Sequence, residues 1–449
     1  MSASSSAGTQ SSSSSPPPSC DVVVIGGGPG GSVAAAALAR EGVDVVLLER
    51  ERHPRPHVGE SLIPHFWRYV DEIGAGPRIA AEGFVQKAGG AVIWNNDCQF
   101  VSFKDFGFKR PALHVEREVF DQILFENCRE QGAQTFERVV VDKVEFADER
   151  QVVHFRPLEG GESGSIRCRY IIDASGQSSL LARQLGLRVV DSEFRFLGMW
   201  GYFENSLYIS PDGTVRPISQ VKEYPPATTV ESVGDNQGWL WHISMRNTTS
   251  VGLILPPQDM KQQGGKGLAA AERLFLETVR GSDYISRLLA PARYSEGSFL
   301  LARDYSYSAK RFAGPGYFLV GDAAAFVDPI FSLGVVFAVF SGYAAATMIA
   351  RSLRRPNRAE GIASFYDEQL RSRIAVARAL ALPSYRGDAE LDSSIRAYFD
   401  LETSSERALM STVASLTNRS RNFERLSPGK KYGSRAYRVE SLKFPEGAG

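Results

Sequence analysis

Cysteine is scarce. The 449 residues hold four, Cys20, Cys98, Cys128 and Cys168, far apart and with no Cys-x-x-Cys pair. That pattern argues against a zinc site, a thioredoxin-like redox pair or a dense disulfide framework, and it suits a reducing cytoplasm. Net charge is missing as well, since 51 Lys and Arg balance 51 Asp and Glu. No overall field gathers nucleic acid or an anionic membrane, so neither is expected as a partner. The six histidines, His53, His57, His65, His114, His154 and His242, form no cluster at ligand spacing, and Pro54 and Pro56 keep His53 and His57 off a shared helical face. No metal is expected. A Gly-x-Ser-x-Gly elbow is absent, which leaves a hydrolase without support. Residues 326–350 are the longest apolar stretch, but Asp328, Pro329, Ser332, Gly334, Ser341 and Gly342 break it into pieces shorter than the roughly 18 apolar residues of a bilayer span. It reads as a buried helix, and no integral membrane segment is expected.

What is present is an ordinary globular composition, 43% hydrophobic and 23% charged, long enough to bury one large core or two joined ones. Residues 1–19 are almost all Ser, Ala, Gly, Thr, Gln and Pro. They cannot bury enough apolar surface to offset their ordering entropy and are expected to be a disordered tail, not a secretory signal. Order starts at Asp21. Val22-Val23-Val24-Ile25 is a β-branched strand, Gly26-Gly27-Gly28-Pro29-Gly30-Gly31 a turn, residues 32–40 an alanine-rich helix, and residues 43–48 a second buried strand closing on Glu49. In that setting Gly-x-Gly-x-x-Gly predicts a dinucleotide site. Gly26 permits the tight turn, Gly28 lets a pyrophosphate reach the backbone, and Gly31 lets helix and strand pack. Pro29, Gly30 and Ser32 complete the cradle at the helix N-terminus, and Glu49, with Arg50 beside it, is placed for a ribose. An acid there suits FAD or NAD rather than NADP.

Two later strand-and-turn segments, Tyr170-Ile171-Ile172-Asp173-Ala174-Ser175-Gly176 and Tyr317-Phe318-Leu319-Val320-Gly321-Asp322-Ala323-Ala324, make the chain resemble the glutathione-reductase-type FAD fold of flavin monooxygenases and their relatives. The resemblance implies that Asp322 binds the flavin ribityl chain and that Arg117, in His114-Val115-Glu116-Arg117, lies near the flavin. Read alone, Asp322 is equally a helix cap and Arg117 a surface ion-pair partner. From about residue 189 to 300 the chain is rich in aromatic and β-branched residues and reads as mostly strands, with a helix at 267–280. Helical segments follow residue 357, including 371–381 and 394–416. The expected fold class is α/β, a glutathione-reductase-type FAD-binding fold with an inserted β-sheet substrate domain and a C-terminal helical region. Its parts are the tail 1–19, the FAD-binding domain 20–188 and 301–356, the sheet domain 189–300 and the helical region 357–449.

Three further stretches resemble the flavin-dependent halogenases. They are His57-Val58-Gly59-Glu60-Ser61-Leu62-Ile63-Pro64, then Gly83-Phe84-Val85-Gln86-Lys87-Ala88-Gly89-Gly90, and Gly238-Trp239-Leu240-Trp241-His242-Ile243-Ser244, which departs from the family's Trp-x-Trp-x-Ile-Pro at its last residue. The resemblance makes Lys87 the active-site lysine. Reduced flavin, oxygen and halide yield hypohalous acid, too indiscriminate to release, and a fixed lysine can hydrogen-bond it or become its chloramine. Burial would lower that amine's pKa toward neutrality. Trp239 and Trp241, two apart, face one side of a strand and can wall the flavin off from substrate, although such pairs also serve as core packing. Asp328-Pro329-Ile330-Phe331-Ser332-Leu333-Gly334-Val335 matches the halide turn, with Leu333 where the family usually has a small hydroxyl residue. Leu333 and Gly334 would hold chloride through backbone amides, with Gly334 also at the flavin edge.

The expected activity is halogenation of an electron-rich phenol, pyrrole or indole, free or tethered to an acyl or peptidyl carrier protein, with chloride or bromide as cosubstrate. The segment Asp173-Ala174-Ser175-Gly176, with Ser179 and Arg183 downstream, resembles the halogenase version of a motif that self-sufficient hydroxylases use for NAD(P)H. FADH2 is therefore expected from a separate flavin reductase. The alternative is an FAD-dependent aromatic monooxygenase of the same fold.

Overall fold

The computed structural model describes residues 15–94, 97–104, 108–192, 194–233, 238–256, 267–303, 305–386, 435–438 and 442–444. Two sheets organise them. The first has six strands in the order Ala313–Gly314, Tyr317–Leu319, Tyr170–Asp173, Val22–Ile25, Val45–Glu49 and Gln134–Glu137. Its pairings are parallel except for the outer hairpin. Val22–Ile25 and Val45–Glu49 are buried at every position, which is why both read as unbroken apolar runs rather than as alternating ones. The strand ends Ile25 and Asp173 lie side by side, so the turns that follow them open at the same edge.

The helix Pro29–Arg40 packs against the helix Gly334–Arg354 at backbone contact. A Cβ at Gly342 would lie 2.2 Å from Gly30 O, and one at Gly30 would lie 2.7 Å from Val320 Cγ1. Gly334–Arg354 is long and apolar enough to cross a membrane, but 67% of its most apolar window is buried inside the protein. Tyr366, on the helix Ala359–Arg386, closes this core by donating its hydroxyl to Leu319 O at 2.7 Å.

The second sheet has nine strands and draws on more of the chain than the expected 189–300. Its order is Arg293–Tyr294, Leu197–Glu204, Thr248–Leu255, Gly238–Ser244, Ala227–Val233, Gly89–Trp94, Asp97–Ser102 and Arg435–Arg438, with Leu300–Arg303 also on Leu197–Glu204. Gly89–Trp94 and Asp97–Ser102 come from the segment assigned to the FAD-binding domain, and Arg435–Arg438 comes from the expected helical region. Main-chain hydrogen bonds recruit any strand to a free sheet edge, and position in the chain carries no mark of it. Gly89–Trp94 joins Ala227–Val233 in parallel, with Gly90 level with Thr228.

The helix expected at 267–280 forms as Leu268–Gly281. Residues 371–381 lie within Ala359–Arg386, whereas 394–416 fall outside the described residues. At the other end, residues 1–14 are outside the described part, but the last of the expected tail is ordered. Ser19 bridges Arg167, and Pro18 O accepts from Arg167 N at 3.0 Å. All four cysteines are buried and free. Among the described residues, no group of His, Cys, Asp and Glu is arranged to hold a metal ion.

The helix Arg117–Glu130 starts with a buried ion pair. Arg117 Nε and Nη2 donate to the two oxygens of Asp121 at 2.8 and 2.9 Å, one helical turn on, and Nη1 donates to Val58 O. Burial pushes the Asp121 carboxyl up, but the Arg117 charge and hydrogen bonds outweigh it and hold it below the ordinary range.

Two outcomes are expected. Gly342→Ala places a methyl against Gly30 O, and it should cost about 1–3 kcal/mol, read as a lower thermal midpoint. Arg117→Met strands a buried carboxylate and should cost about 3–5 kcal/mol in denaturant unfolding at neutral pH. Because the folded Asp121 pKa is depressed, the stability it lends is present above the unfolded carboxylate range and disappears as pH falls. The gap between wild type and Arg117→Met should therefore narrow in acid.

Candidate active site

The glycines of the first turn divide into two kinds. At Gly26, which has φ +101°, a Cβ would sit 2.4 Å from Ala174 O, and at Gly31 1.9 Å from Gly26 O. These two hold backbone against backbone. At Gly28, by contrast, the nearest atom to a Cβ is Arg55 Nη2 at 3.6 Å. The N-terminus of Pro29–Arg40 thus opens onto a gap faced by a guanidinium, which suits a pyrophosphate in shape and charge. Ser32 serves the turn itself by donating to Gly27 O at 3.0 Å. Glu49 accepts from the amides of Gly27 at 2.5 Å and Glu51 at 2.7 Å, which leaves each oxygen a lone pair for a ribose hydroxyl. Arg50 lies outside this gap, 62% exposed and paired with Glu51. The basic group that does face it is Arg55, within 4.0 Å of Glu49, Glu51 and Asp121, with its Nε buried and without a hydrogen bond among the described residues.

Asp322 sits in the turn after Tyr317–Leu319. Its main-chain oxygen accepts from Tyr307 at 2.6 Å, while among the described residues its carboxylate has no hydrogen-bond partner. Burial pushes that carboxyl up to about 6, and the Arg117 charge opposes the rise. Gly59, at φ +107°, leaves room for Arg117, whose Nη1 would be 2.7 Å from a Cβ there. The open amide turn, Arg55 across it and a carboxylate with unused acceptors fit the diphosphate and polyol of FAD.

Lys87 ends a short strand two residues before Gly89–Trp94 of the nine-stranded sheet. Its strand, Val85–Lys87, pairs antiparallel with Ala112–His114, and Ser61 bridges His114. Lys87 is 5% exposed, with its ammonium 5.3 Å from the centre of the Phe103 ring. Burial draws its pKa down to about 7. Nζ donates to Ser61 Oγ at 2.8 Å. Ser61 Oγ also accepts from Ser332 Oγ at 3.0 Å and meets Thr228 Oγ1 at 3.0 Å. Thr228 Oγ1 in turn lies 2.8 Å from His114 Nε2, and His114 Nδ1 lies 2.9 Å from Ser244 O. Ser244, the departure from the tryptophan motif, thus acts here through its main-chain carbonyl.

Ser332 belongs to the turn that opens the helix Gly334–Arg354. It holds φ +58°, and the turn is closed by Ile330 N on Asp328 Oδ1 at 2.9 Å and by Ser332 N on Pro329 O at 3.0 Å. Leu333 is the N-cap and Gly334 the first helical residue, so their amides belong to the set that no intrahelical carbonyl accepts. Trp239 and Trp241 are buried with ring centres 5.8 Å apart, in an apolar cluster that includes Phe326, Val327, Ile330 and Phe331 of this turn. Trp241 Nε1 donates to Ser250 Oγ at 3.1 Å, and its ring covers Gly252, where a Cβ would lie 2.0 Å from it.

The structure therefore brings Lys87, the turn of Leu333 and Gly334, and the tryptophan pair into one region. Sequence reading passed over Arg55, Thr228, Gly252 and the linking roles of Ser61, His114 and Ser332. Gly252 alone carried a signal, a glycine inside a strand.

A family profile described as FAD binding domain matches residues 19–380. The chain is 35% identical over 335 residues to flavin-dependent halogenase otaD of Aspergillus carbonarius, covering 71% of this chain and 65% of that one. It is 32% identical over 394 residues to flavin-dependent halogenase armH2 of Armillaria mellea, covering 83% and 73%. It thus spans just under two thirds of otaD. Among solved structures, the myxobacterial chondrochloren halogenase CndH superposes with a TM-score of 0.74 at 30% identity, over 90% of this chain and 91% of that one. On this identity and coverage, the chain belongs to the flavin-dependent halogenases, built on an FAD-binding domain.

Proposed function

We propose that this protein halogenates an electron-rich aromatic ring, with Lys87 as the residue that delivers the halogen. One observation carries the reading. Ser61 Oγ accepts at once from Lys87, at 2.8 Å, and from Ser332, at 3.0 Å, the residue just before Leu333 and Gly334. The lysine and the anion-suited helix end are therefore held on a single hydroxyl. Reduced FAD with oxygen supplies the oxidant that turns chloride or bromide into hypohalous acid. The turn at Gly26, Gly28, Pro29, Gly30 and Gly31 and the Arg55 guanidinium hold its diphosphate, Glu49 a ribose, and Asp322 the ribityl chain, with Arg117 alongside. Leu333 and Gly334 offer halide their main-chain amides, a use that needs no hydroxyl at position 333. Trp239 and Trp241 keep water and misplaced substrate from the oxidant.

The ring is a phenol, pyrrole or indole, because an electrophilic halogen needs an electron-rich carbon, and it is presented free or on a carrier protein. FADH2 comes from a separate flavin reductase. Asp173 supports this assignment, since its oxygens hold the amides of Ser175 and Leu181 at 3.0 and 2.7 Å and so serve the turn.

The test is mass spectrometry of products from phenols, pyrroles and indoles, free and carrier-tethered, given FAD, a flavin reductase, NADH, oxygen and chloride or bromide. Halogen isotope doublets are expected that vanish in Lys87→Ala while bound FAD is retained. Oxygen insertion without halogen, with no added reductase required, would instead establish a monooxygenase. Transfer through the neutral amine, with its pKa drawn down to about 7, should make wild-type halogenation rise about tenfold from roughly pH 6 to 8. A flat profile would count against amine participation.

A further inference from the structure

We propose that His114 and Thr228 are positioning residues. They fix the direction of a hydrogen-bond chain so that Ser61 accepts from Lys87 and is barred from donating to it. The inference rests on the role of Lys87 proposed above.

The direction follows from the far end of the chain. Ser244 O is a carbonyl and only accepts, so His114 Nδ1 at 2.9 Å must carry the proton that it donates. A neutral imidazole has one N–H, so Nε2 is then the acceptor, and Thr228 Oγ1 at 2.8 Å must donate to it. With its proton committed, Thr228 meets Ser61 at 3.0 Å as an acceptor, and Ser61 is the donor. Ser61 then has two lone pairs left, and Lys87 and Ser332 occupy both. Three hydrogen bonds are the full complement of a hydroxyl.

This matters for a neutral amine. Nζ then has one lone pair, the site that must meet an electrophilic halogen, and a neighbouring O–H is the donor best able to cap it. The chain denies Ser61 that proton. This direction holds only for a neutral His114, because an imidazolium would donate from Nε2 and turn the Thr228 proton toward Ser61. His114 is completely buried, and burial, then the charge of Lys87, holds it well below the ordinary imidazole range. Among the described residues, the titratable groups that act on His114 are Lys87 and His242 on Gly238–Ser244, the latter drawn down by burial to about 4.

The test reads Lys87 directly, with no turnover. Lysine isotopically labelled at Cε is incorporated into the full chain loaded with oxidised FAD, and the Lys87 resonance is identified by its loss in Lys87→Arg. Its titration midpoint is then followed by NMR. In Thr228→Val the Ser61 proton is released and can cap the neutral amine. That stabilises the uncharged form and should lower the midpoint by about half a unit to one unit. Thr228→Ser restores the hydroxyl and should restore the midpoint. His114→Phe removes the acceptor that orders Thr228 and should shift Lys87 in the same direction, which keeps the test open if Thr228→Val fails to fold.

Folded Thr228→Val and His114→Phe with the wild-type midpoint would overturn the proposal, as would a shift that Thr228→Ser fails to restore. If the wild type makes no halogenated product, the midpoint shift still upholds the directed chain, and only the halogen-delivery reading falls.

Discussion

A hydroxyl has one proton and two lone pairs, and the site is organised around one hydroxyl that uses all three. Ser61 takes a hydrogen bond from Lys87, another from Ser332, and meets Thr228. Those residues come from four distant stretches of chain, of which only Thr228 lies in one of the two large sheets, so these stretches can come together in few other ways without leaving a buried polar group unmet. An unmet group of that kind costs about 1–3 kcal/mol. Much of the local geometry, from the strand pairing of Val85–Lys87 to the left-handed backbone at Ser332, can be understood as serving that meeting point.

The same constraint explains how a lysine is kept in the interior. An ammonium placed among apolar side chains loses hydration, and the protein answers in two ways. The pKa falls until the charge is optional near neutrality, and one serine oxygen with the face of Phe103 serves the charged form when it is present. A surface lysine would need neither. Asp121 shows the opposite solution, since its buried charge is retained because Arg117 meets it with two hydrogen bonds.

The cofactor end is built by subtraction. Gly26, Gly30, Gly31 and Gly342 let backbones touch, so that two helices and a turn occupy space a methyl group would fill. Gly28 is the exception in that group, and its open side faces Arg55. Packing glycines and ligand glycines look identical in a motif. Only the distance from each Cβ position to its neighbours separates them.

Much was legible from residues alone because it is encoded locally. Strand, turn and helix at 22–40 follow from β-branching and the freedom of glycine within a few residues. The expected apolar helix and the shared strand face of Trp239 and Trp241 follow from short windows, with family resemblance supplying the expected roles of the tryptophans and of Lys87. What the sequence could not show is which strands share a sheet and which side chains meet across them. Gly89–Trp94 lies beside Ala227–Val233 through main-chain bonds that almost any residues make, and Thr228, level with Gly90 there, meets Ser61 across space. Arg50 and Arg55 were equivalent as letters, and the fold turned one to solvent and the other to the turn. Composition and periodicity determine the elements because backbone preferences act over a few residues. Hydrogen-bond partners were decided by tertiary structure, because a donor finds its acceptor by distance in space.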